Sequence, residues 1–250
     1  MQLNFGWKSS AVDYSKHLLR GGLVSGLLLA GGFQQASADI GRVSEDWGDA
    51  PASFGVLAAD NGARHTILDE LQNKLFLGLS VDAEMDGQPS SSADGDDIAG
   101  SDDDDGVVLA SPLTIGQSAT AVVFMTRAGA IEGILNAWID FNLDGSWDDP
   151  GEQIFTDLIL TEGLNNLLFS IPGSAMEGIS YARFRLSSVS GAQATGVVDD
   201  GNGGVDVGEV EDYQVRIAAA AQIPEPATLA LLGLGLAGLG AGRRADRISI

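Results

Sequence analysis

Apolar and polar side chains alternate along several short segments in the middle and last third of this chain. Six such segments are rich in β-branched and apolar residues: 120–127, 134–141, 153–160, 166–171, 181–187 and 212–218. The alternation is clearest in 181–187, where Ala182, Phe184 and Leu186 share one face and charged or aromatic residues occupy the other. A period of two residues predicts β-strands that each bury one face.

Turn-forming residues separate these strands and determine the expected fold. The strands recur every 10 to 15 residues, between clusters of Gly, Pro and Asp. This spacing predicts an all-β protein, an antiparallel β-sandwich of jelly-roll type with long acidic loops. Helix signals are weak, and 65–78 is compatible with one or two helical turns. Residues 42–106 are mostly turn formers and acids, so they are either disordered or held by ions.

The first 38 residues have the pattern of a secretory signal. Three basic residues precede an apolar run at 22–30, and the small residues Ala36, Ser37 and Ala38 follow it. We expect cleavage after Ala38, and a retained membrane anchor is the alternative. The exported domain then spans 39–217.

The other end of the chain has three parts in a fixed order. After a linker at 218–223 come Pro224, Glu225 and Pro226, then the apolar run 227–242, then Arg243 and Arg244. The 16 residues of the run reach roughly 24 Å as a helix, against roughly 30 Å for a bilayer core. We expect a short transmembrane helix with both arginines on the cytoplasmic side and 245–250 as a cytoplasmic tail.

The chain is strongly acidic, with a net charge of −22, and it contains no cysteine. Thirty-three of its 35 acidic residues but only seven of its 13 basic residues lie between positions 39 and 226. Such a surface repels nucleic acid and anionic lipid, so we expect no nucleic-acid partner. An exported domain without disulfides needs another crosslink, and bound metal is the obvious candidate.

The sharpest local motif is the segment DFNLDGSWDDPGE at 140–152. It reads D-x-N-x-D-G, which places oxygen donors at alternate positions and a glycine at the turn, as a Ca²⁺ site requires. The predicted ligands are Asp140, Asn142, Asp144, Asp148 and Glu152. The segment is not an EF-hand, because Glu152 is its thirteenth residue rather than its twelfth. An ordinary acidic hairpin loop is the alternative.

Three other acidic segments are weaker candidates for ion binding. They are 82–87, 94–106 and 199–206, and each intersperses glycine among carboxylates. In the second segment Asp102 and Asp104 are the candidate ligands. A run of like charges is often a solvated surface stretch instead, so both interpretations stay open.

Catalytic signals are few in this sequence. His65 is the one histidine of the exported region, and no nucleophile elbow lies near it, so we expect a structural histidine. Paired carboxylates would suit glycoside hydrolysis, but acids are too common here to be diagnostic. Trp138 and Trp147 either stack on a sugar or pack in the core. We therefore expect no enzyme, with a secreted carbohydrate-active enzyme as the alternative.

The hexapeptide GEVEDY at 208–213 resembles the name-giving motif of the GEVEDY domain, a module of bacterial surface and secreted proteins. Further segments resemble the same family in the same order: 46–51, 62–65, 77–89, 95–107, 137–152 and 181–187. The resemblance implies a β-sandwich with calcium sites and no catalysis. It also implies roles for Glu209, Glu211 and Asp212. The two glutamates either complete an ion site or pair with Arg183 and Arg185.

The tail is similar to a PEP-CTERM sorting signal, which a membrane-bound exosortase recognises. The residues that carry processing are Ala38 at the front and Pro224, Glu225, Pro226, Arg243 and Arg244 at the end. The resemblance implies a non-enzymatic protein that is exported through the inner membrane to the cell surface or matrix. Adhesion or organisation of exopolysaccharide is the expected role. Ca²⁺ is the expected ion, and exopolysaccharide or other matrix proteins are the expected partners besides exosortase.

Overall fold

A computed structural model describes five stretches of the chain: 44–68, 74–95, 103–199, 206–220 and 231–237. Several predictions from the sequence fall on residues outside these stretches. They are the signal 1–38 with Ala38, the ligand Asp102, the sorting residues Pro224, Glu225, Pro226, Arg243 and Arg244, and the tail 245–250.

Eleven strands and two short 3₁₀ turns form the described structure between residues 44 and 220. The strands are β1 Ser44–Trp47, β2 Arg64–Ile67, β3 Leu75–Leu77, β4 Val107–Leu109, β5 Leu113–Thr114, β6 Ser118–Arg127, β7 Gly133–Ile139, β8 Gln153–Leu160, β9 Gly163–Ser170, β10 Gly178–Ser187 and β11 Gly208–Ala218. The two turns are Ala52–Phe54 and Ala58–Asp60. The predicted all-β class is therefore confirmed.

Two larger sheets enclose the main core. The β11 sheet has the order β5-β11-β10-β7-β8 and is antiparallel except between β5 and β11. In the β6 sheet, β3 and β4 pair with one edge of β6 and β9 pairs with the other. Both sheets contribute to one cluster of buried apolar residues, which includes Leu77, Val123, Met125, Leu135, Ile139, Phe184, Leu186 and Ile217. Burial of this continuous apolar surface is the main stabilising contribution.

Strand β10 shows how the alternating pattern is used. Ala182, Phe184 and Leu186 are completely buried in the main core, as predicted. Arg183 and Arg185 are completely buried as well, although they face the other way. Their face is covered because the small β1–β2 sheet and the loops around it form an additional layer.

This additional layer has an apolar cluster of its own. Trp138 and Trp147 are each 4% exposed and belong to it, together with Phe54. The Phe54 and Trp147 rings lie 4.2 Å apart between centroids. Both tryptophans are therefore core residues, and the alternative of an exposed sugar-stacking surface is wrong for them.

Helical structure is sparse in the described chain. Where 65–78 is described, its ends belong to strands β2 and β3, so the expected helical turns do not form there. The predicted span 227–242 is described at 231–237, which is helical. Within the described residues, no helix has both the length and the apolar character needed to cross a membrane.

Candidate metal centre

The GEVEDY segment forms the first half of β11, and its register with β10 decides which way each acid points. Glu211 lies opposite Phe184 and Glu209 opposite Leu186, so both glutamates face the inside of the sandwich. Asp212 lies opposite Arg183 on the other face. The two-residue spacing of the glutamates thus places them on one side of an extended strand, as expected.

Asp212 and Arg183 form a buried ion pair with two hydrogen bonds. Arg183 Nε donates to Asp212 Oδ1 over 2.7 Å, and Nη2 donates to Oδ2 over 2.6 Å. The same Oδ2 accepts the backbone N–H groups of Asp49 and Ala50, each over 2.9 Å. Asp212 therefore attaches the loop after β1 to β11, and both its oxygens are engaged within the protein.

Glu211 positions the start of β4. Its Oε1 accepts the Gly106 N–H over 2.7 Å, and its Oε2 accepts the Tyr213 hydroxyl over 2.9 Å. The same hydroxyl oxygen accepts the Val107 N–H over 3.1 Å. Burial raises the pKa of Glu211 to about 8. Glu211 pairs with neither Arg183 nor Arg185, so that alternative is wrong for this residue.

Glu209 has one oxygen without a partner. Its Oε2 accepts the Leu77 N–H, whereas its Oε1 has no hydrogen-bond partner in the part of the chain that the structure describes. The residue is only 1% exposed. Burial, followed by the charges of Glu211 and Asp46, raises the pKa of Glu209 well above its usual range. Leaving a buried acceptor unmatched is costly, so this oxygen needs an explanation.

Carboxylates beside Glu209 form two overlapping groups. One ligand atom from each of Asp46, Asp103 and Glu209 lies within 4.8 Å of the other two. Asp82, Glu84 and Asp103 form a second group by the same measure, so Asp103 belongs to both. We call these five residues the acidic centre.

Hydrogen bonds from the backbone hold the acidic centre in place. Asp46 Oδ2 accepts the Val210 N–H over 2.5 Å at the edge of β11. Asp103 Oδ2 accepts the Asp82 N–H over 2.8 Å, and Glu84 Oε2 accepts the Trp47 N–H over 3.1 Å. Each contact joins two segments that are far apart in sequence.

The chemistry of the acidic centre suits a hard divalent cation. Carboxylate oxygens are the ligands that Ca²⁺ prefers, and clustered carboxylates repel one another unless a cation or protons neutralise them. Burial, with a hydrogen bond to Asp82, raises the pKa of Glu84 to about 9. A raised pKa means that burial disfavours the ionised form of Glu84.

Two family models match this chain. Residues 134–216 match the model of the GEVED domain. The chain contains a GEVED domain. The match begins in β7 and ends in β11, so it includes Glu209. The other four members of the acidic centre lie before residue 134, outside the match. No curated protein and no solved structure matches the chain.

The second match is to the PEP-CTERM protein-sorting motif, at 222–245. This motif is the recognition signal for exosortase. It indicates exosortase-dependent export and sorting to the cell surface. The resemblance of both the hexapeptide and the tail is thereby confirmed.

The loop at 140–152, which contains the best predicted ligands, lies within the GEVED domain. Hydrogen bonds among its own residues hold it. Asp140 uses both oxygens to accept backbone N–H groups, from Leu143 over 2.6 Å and Gly145 over 3.0 Å. The Asn142 amide nitrogen donates to Asp144 over 3.1 Å and to Asp149 over 3.0 Å. Within the described residues, this loop does not bring three carboxylates within 4.8 Å of one another.

Glu152 is the one predicted ligand of this loop with an unmatched buried oxygen. Its Oε1 accepts the Phe141 N–H over 2.9 Å, whereas Oε2 has no partner among the described residues. Burial raises the pKa of Glu152 to about 7. Asp148 is exposed at the surface of the loop. The predicted ion at this loop stays a prediction.

Asp104, which the sequence also predicts as a candidate ligand, contacts the edge of β11. Its Oδ1 accepts the Asp212 N–H over 3.3 Å. It belongs to neither carboxylate group of the acidic centre. Its neighbour Asp103 belongs to both groups instead. The unbroken run of four aspartates does not show which of them faces the acidic centre.

His65 is buried in a network that engages both ring nitrogens. Arg185 Nε donates to His65 Nε2 over 3.0 Å, so Nδ1 carries the proton and donates to Asp206 Oδ2 over 2.5 Å. The Ser187 hydroxyl donates to Asp206 Oδ1 over 2.6 Å, rather than to the histidine. Burial and the Arg185 charge lower the pKa of His65 to about 4. This geometry leaves His65 no ring nitrogen for activating a nucleophile.

The sequence predictions name four members of the acidic centre nowhere as individual ligands: Asp46, Asp82, Glu84 and Asp103. The last three nevertheless lie in 82–87 and 94–106, two segments predicted as weaker candidates for ion binding, and Asp46 lies in a segment that resembles the GEVEDY family. The five members of the acidic centre come from four places in the chain, and the sheet topology brings these places together. A search for single acids inside those segments, rather than for one continuous loop, is the signal that finds them.

Proposed function

We propose that this protein is a non-enzymatic, exported surface protein whose domain is stabilised by Ca²⁺ at the acidic centre. The observation that carries this proposal is the unmatched, buried Oε1 of Glu209 beside Asp46 and Asp103. A cation there would supply the missing partner for this oxygen. It would also neutralise the carboxylates around it.

The position of the acidic centre explains what the cation would stabilise. Asp46 lies in β1, Asp82 and Glu84 follow β3, Asp103 precedes β4, and Glu209 lies in β11. An ion bound to these residues would join the acidic first third of the domain to the sandwich. In a protein without cysteine, it would serve as the crosslink that disulfides provide elsewhere.

The surface role follows from the sorting motif together with this architecture. The PEP-CTERM motif directs the chain to the cell surface. A calcium-stabilised sandwich there would act in adhesion or in organising an exopolysaccharide matrix, and polysaccharide or other matrix proteins would be its partners. The engaged ring nitrogens of His65 support a binding rather than a catalytic role.

Thermal unfolding tests the proposed ion site. The full chain in detergent would be unfolded in EDTA and in millimolar Ca²⁺. A ligand that binds only the folded state adds about 2.7 kcal/mol at a hundredfold excess over Kd, so the midpoint should rise by several degrees. Glu209→Gln should abolish this rise.

Glu177→Gln is the matched control, because Glu177 is exposed and distant in sequence from the acidic centre. It removes the same charge and should retain the full calcium response. A wild-type midpoint that ignores calcium would overturn the proposal. So would a response that Glu209→Gln leaves intact.

A further inference from the structure

The outer face of the β6 sheet carries an exposed apolar surface. The residues that share this face are Val108, Thr120, Val122, Phe124, Leu164, Asn166 and Leu168, as the strand registers show. Leu164 is 66% exposed, Leu168 is 71% exposed and Val108 is 61% exposed. The opposite side of the same strands is buried in the main core.

This surface is also free of charge, which is unusual in so acidic a chain. Strands β4 and β9 contain no charged residue, and the one charged residue of β6 is Arg127 at its end. The chain as a whole carries 35 acidic residues. Two copies with a net charge of −22 each repel one another wherever carboxylates meet, but not across this surface.

Strand β9 forms one edge of this sheet and lacks the features that usually keep an edge strand from pairing with another chain. Among the described residues β9 pairs only with β6, in a continuous register of eight residue pairs. It has no proline, no charge and no bulge, the devices by which proteins prevent edge strands from pairing. Strand β8, one edge of the β11 sheet, has two register shifts and an aspartate, Asp157, with φ of +47°.

We propose that two copies of this chain pair along β9, antiparallel and about a two-fold axis, joining their β6 sheets. A second copy is the favoured occupant because it brings the same uncharged strand, whereas a cationic partner would be drawn to the acidic loops instead. Backbone hydrogen bonds at the open edge supply affinity, and the exposed leucines supply apolar burial.

The alternation of side chains fixes the register of this pair. A two-fold axis at Asn166 places Asn166 opposite its own equivalent and keeps inner and outer faces aligned across the junction. Leu164 then lies opposite Leu168 of the partner subunit, twice in the pair. Cross-strand apolar pairs of this kind stabilise antiparallel sheets.

Cysteine crosslinking of the full chain tests this pairing, since the native chain has no cysteine. Residues directly opposite in an antiparallel pair have Cα atoms about 4.5–5.5 Å apart, within the range that a disulfide spans. Under mild oxidation, Asn166→Cys should give a covalent dimer. Ile159→Cys on β8, where Ile159 is 62% exposed, is the matched control and should stay monomeric.

Two results would overturn the proposal. One is an Asn166→Cys chain that stays monomeric or crosslinks no better than Ile159→Cys. The other is crosslinking of Asn166→Cys to a different protein. Adding Leu164→Lys and Leu168→Lys to the Asn166→Cys chain should reduce the dimer at least tenfold. These leucines are exposed, so folding should persist, and an unchanged unfolding midpoint in EDTA would verify it.

Discussion

At the scale of residues, the additional layer over β10 contains buried charged side chains, each of which has a hydrogen-bonding partner of its own. Arg183 and Asp212 are both fully buried, and the guanidinium also lies over the Trp147 ring, 4.4 Å from its centroid. Arg183 further donates to the Ala194 carbonyl over 2.8 Å. Such a pair adds little by itself, but removing one partner leaves the other charge uncompensated.

Asp212→Asn tests this pair. The change removes the negative charge while nearly preserving shape, so we expect a loss of about 3–5 kcal/mol in the free energy of unfolding. Denaturant titration of the full chain measures it. Asp60→Asn, at an exposed position, is the control and should stay within about 0.5 kcal/mol of wild type. An equally mild effect of Asp212→Asn would contradict the role assigned to the pair.

His65 should make stability depend on pH. Its pKa is about 4 in the folded chain and near 6.5 when unfolded, so acid favours the unfolded state. Its contribution is complete above pH 6.5 and falls as the pH drops to 4, by about 3 kcal/mol in all. The difference in unfolding free energy between wild type and His65→Gln, measured from pH 7 to 4, should shrink accordingly. A constant difference would contradict this prediction.

At the scale of elements, β11 is positioned by close contact with β10. Gly208 begins β11, and a Cβ atom there would overlap the carbonyl oxygen of Leu186. The glycine of the hexapeptide is therefore required by the approach of two backbones. The register that this contact sets between β10 and β11 decides which face of the sheet each other residue of the hexapeptide occupies.

Gly208→Ala should accordingly displace the start of β11 and cost roughly 2 kcal/mol or more. It should weaken calcium binding too, since Glu209 is the next residue. Gly173→Ala is the matched control, because a Cβ atom at Gly173 meets nothing within 4 Å. Denaturant titrations of the two variants compare these costs, and equal costs would show that the close contact is unimportant.

The elements also show what the sequence can and cannot predict. Alternation in 120–127 and 181–187 predicts strands and the inward face of β10, because each pattern is local. Burial of Arg183 depends on β1 and β2, which lie more than a hundred residues away. The members of the acidic centre come from β1, the segment after β3, the segment before β4, and β11, so no single continuous motif contains them all.

At the scale of the whole molecule, the proposed ion site should couple stability to pH and to calcium. Burial raises the pKa of Glu84, a member of the acidic centre, to about 9, above the unfolded value of 4.5. Without a cation, this group contributes stability below pH 4.5 that is lost as the pH rises through 9. Calcium needs ionised carboxylates, so its binding should release protons and strengthen with pH.

The increase in Tm caused by calcium should therefore be larger at pH 8 than at pH 5.5. Melting curves in EDTA and in calcium, recorded from pH 5 to 9, measure this difference. Glu209→Gln should make the two sets of curves coincide. An increase that is the same at every pH would contradict proton release at the acidic centre.

Crystallography of the protein grown with calcium tests whether a cation binds where Glu209 meets Asp46 and Asp103. We expect an anomalous peak with oxygens of these residues at about 2.3–2.6 Å, the usual Ca²⁺–oxygen distance. Glu209 Oε1 should be among them. A calcium-saturated crystal with no peak there, and with a water or proton satisfying Oε1, would show that the acidic centre binds no cation.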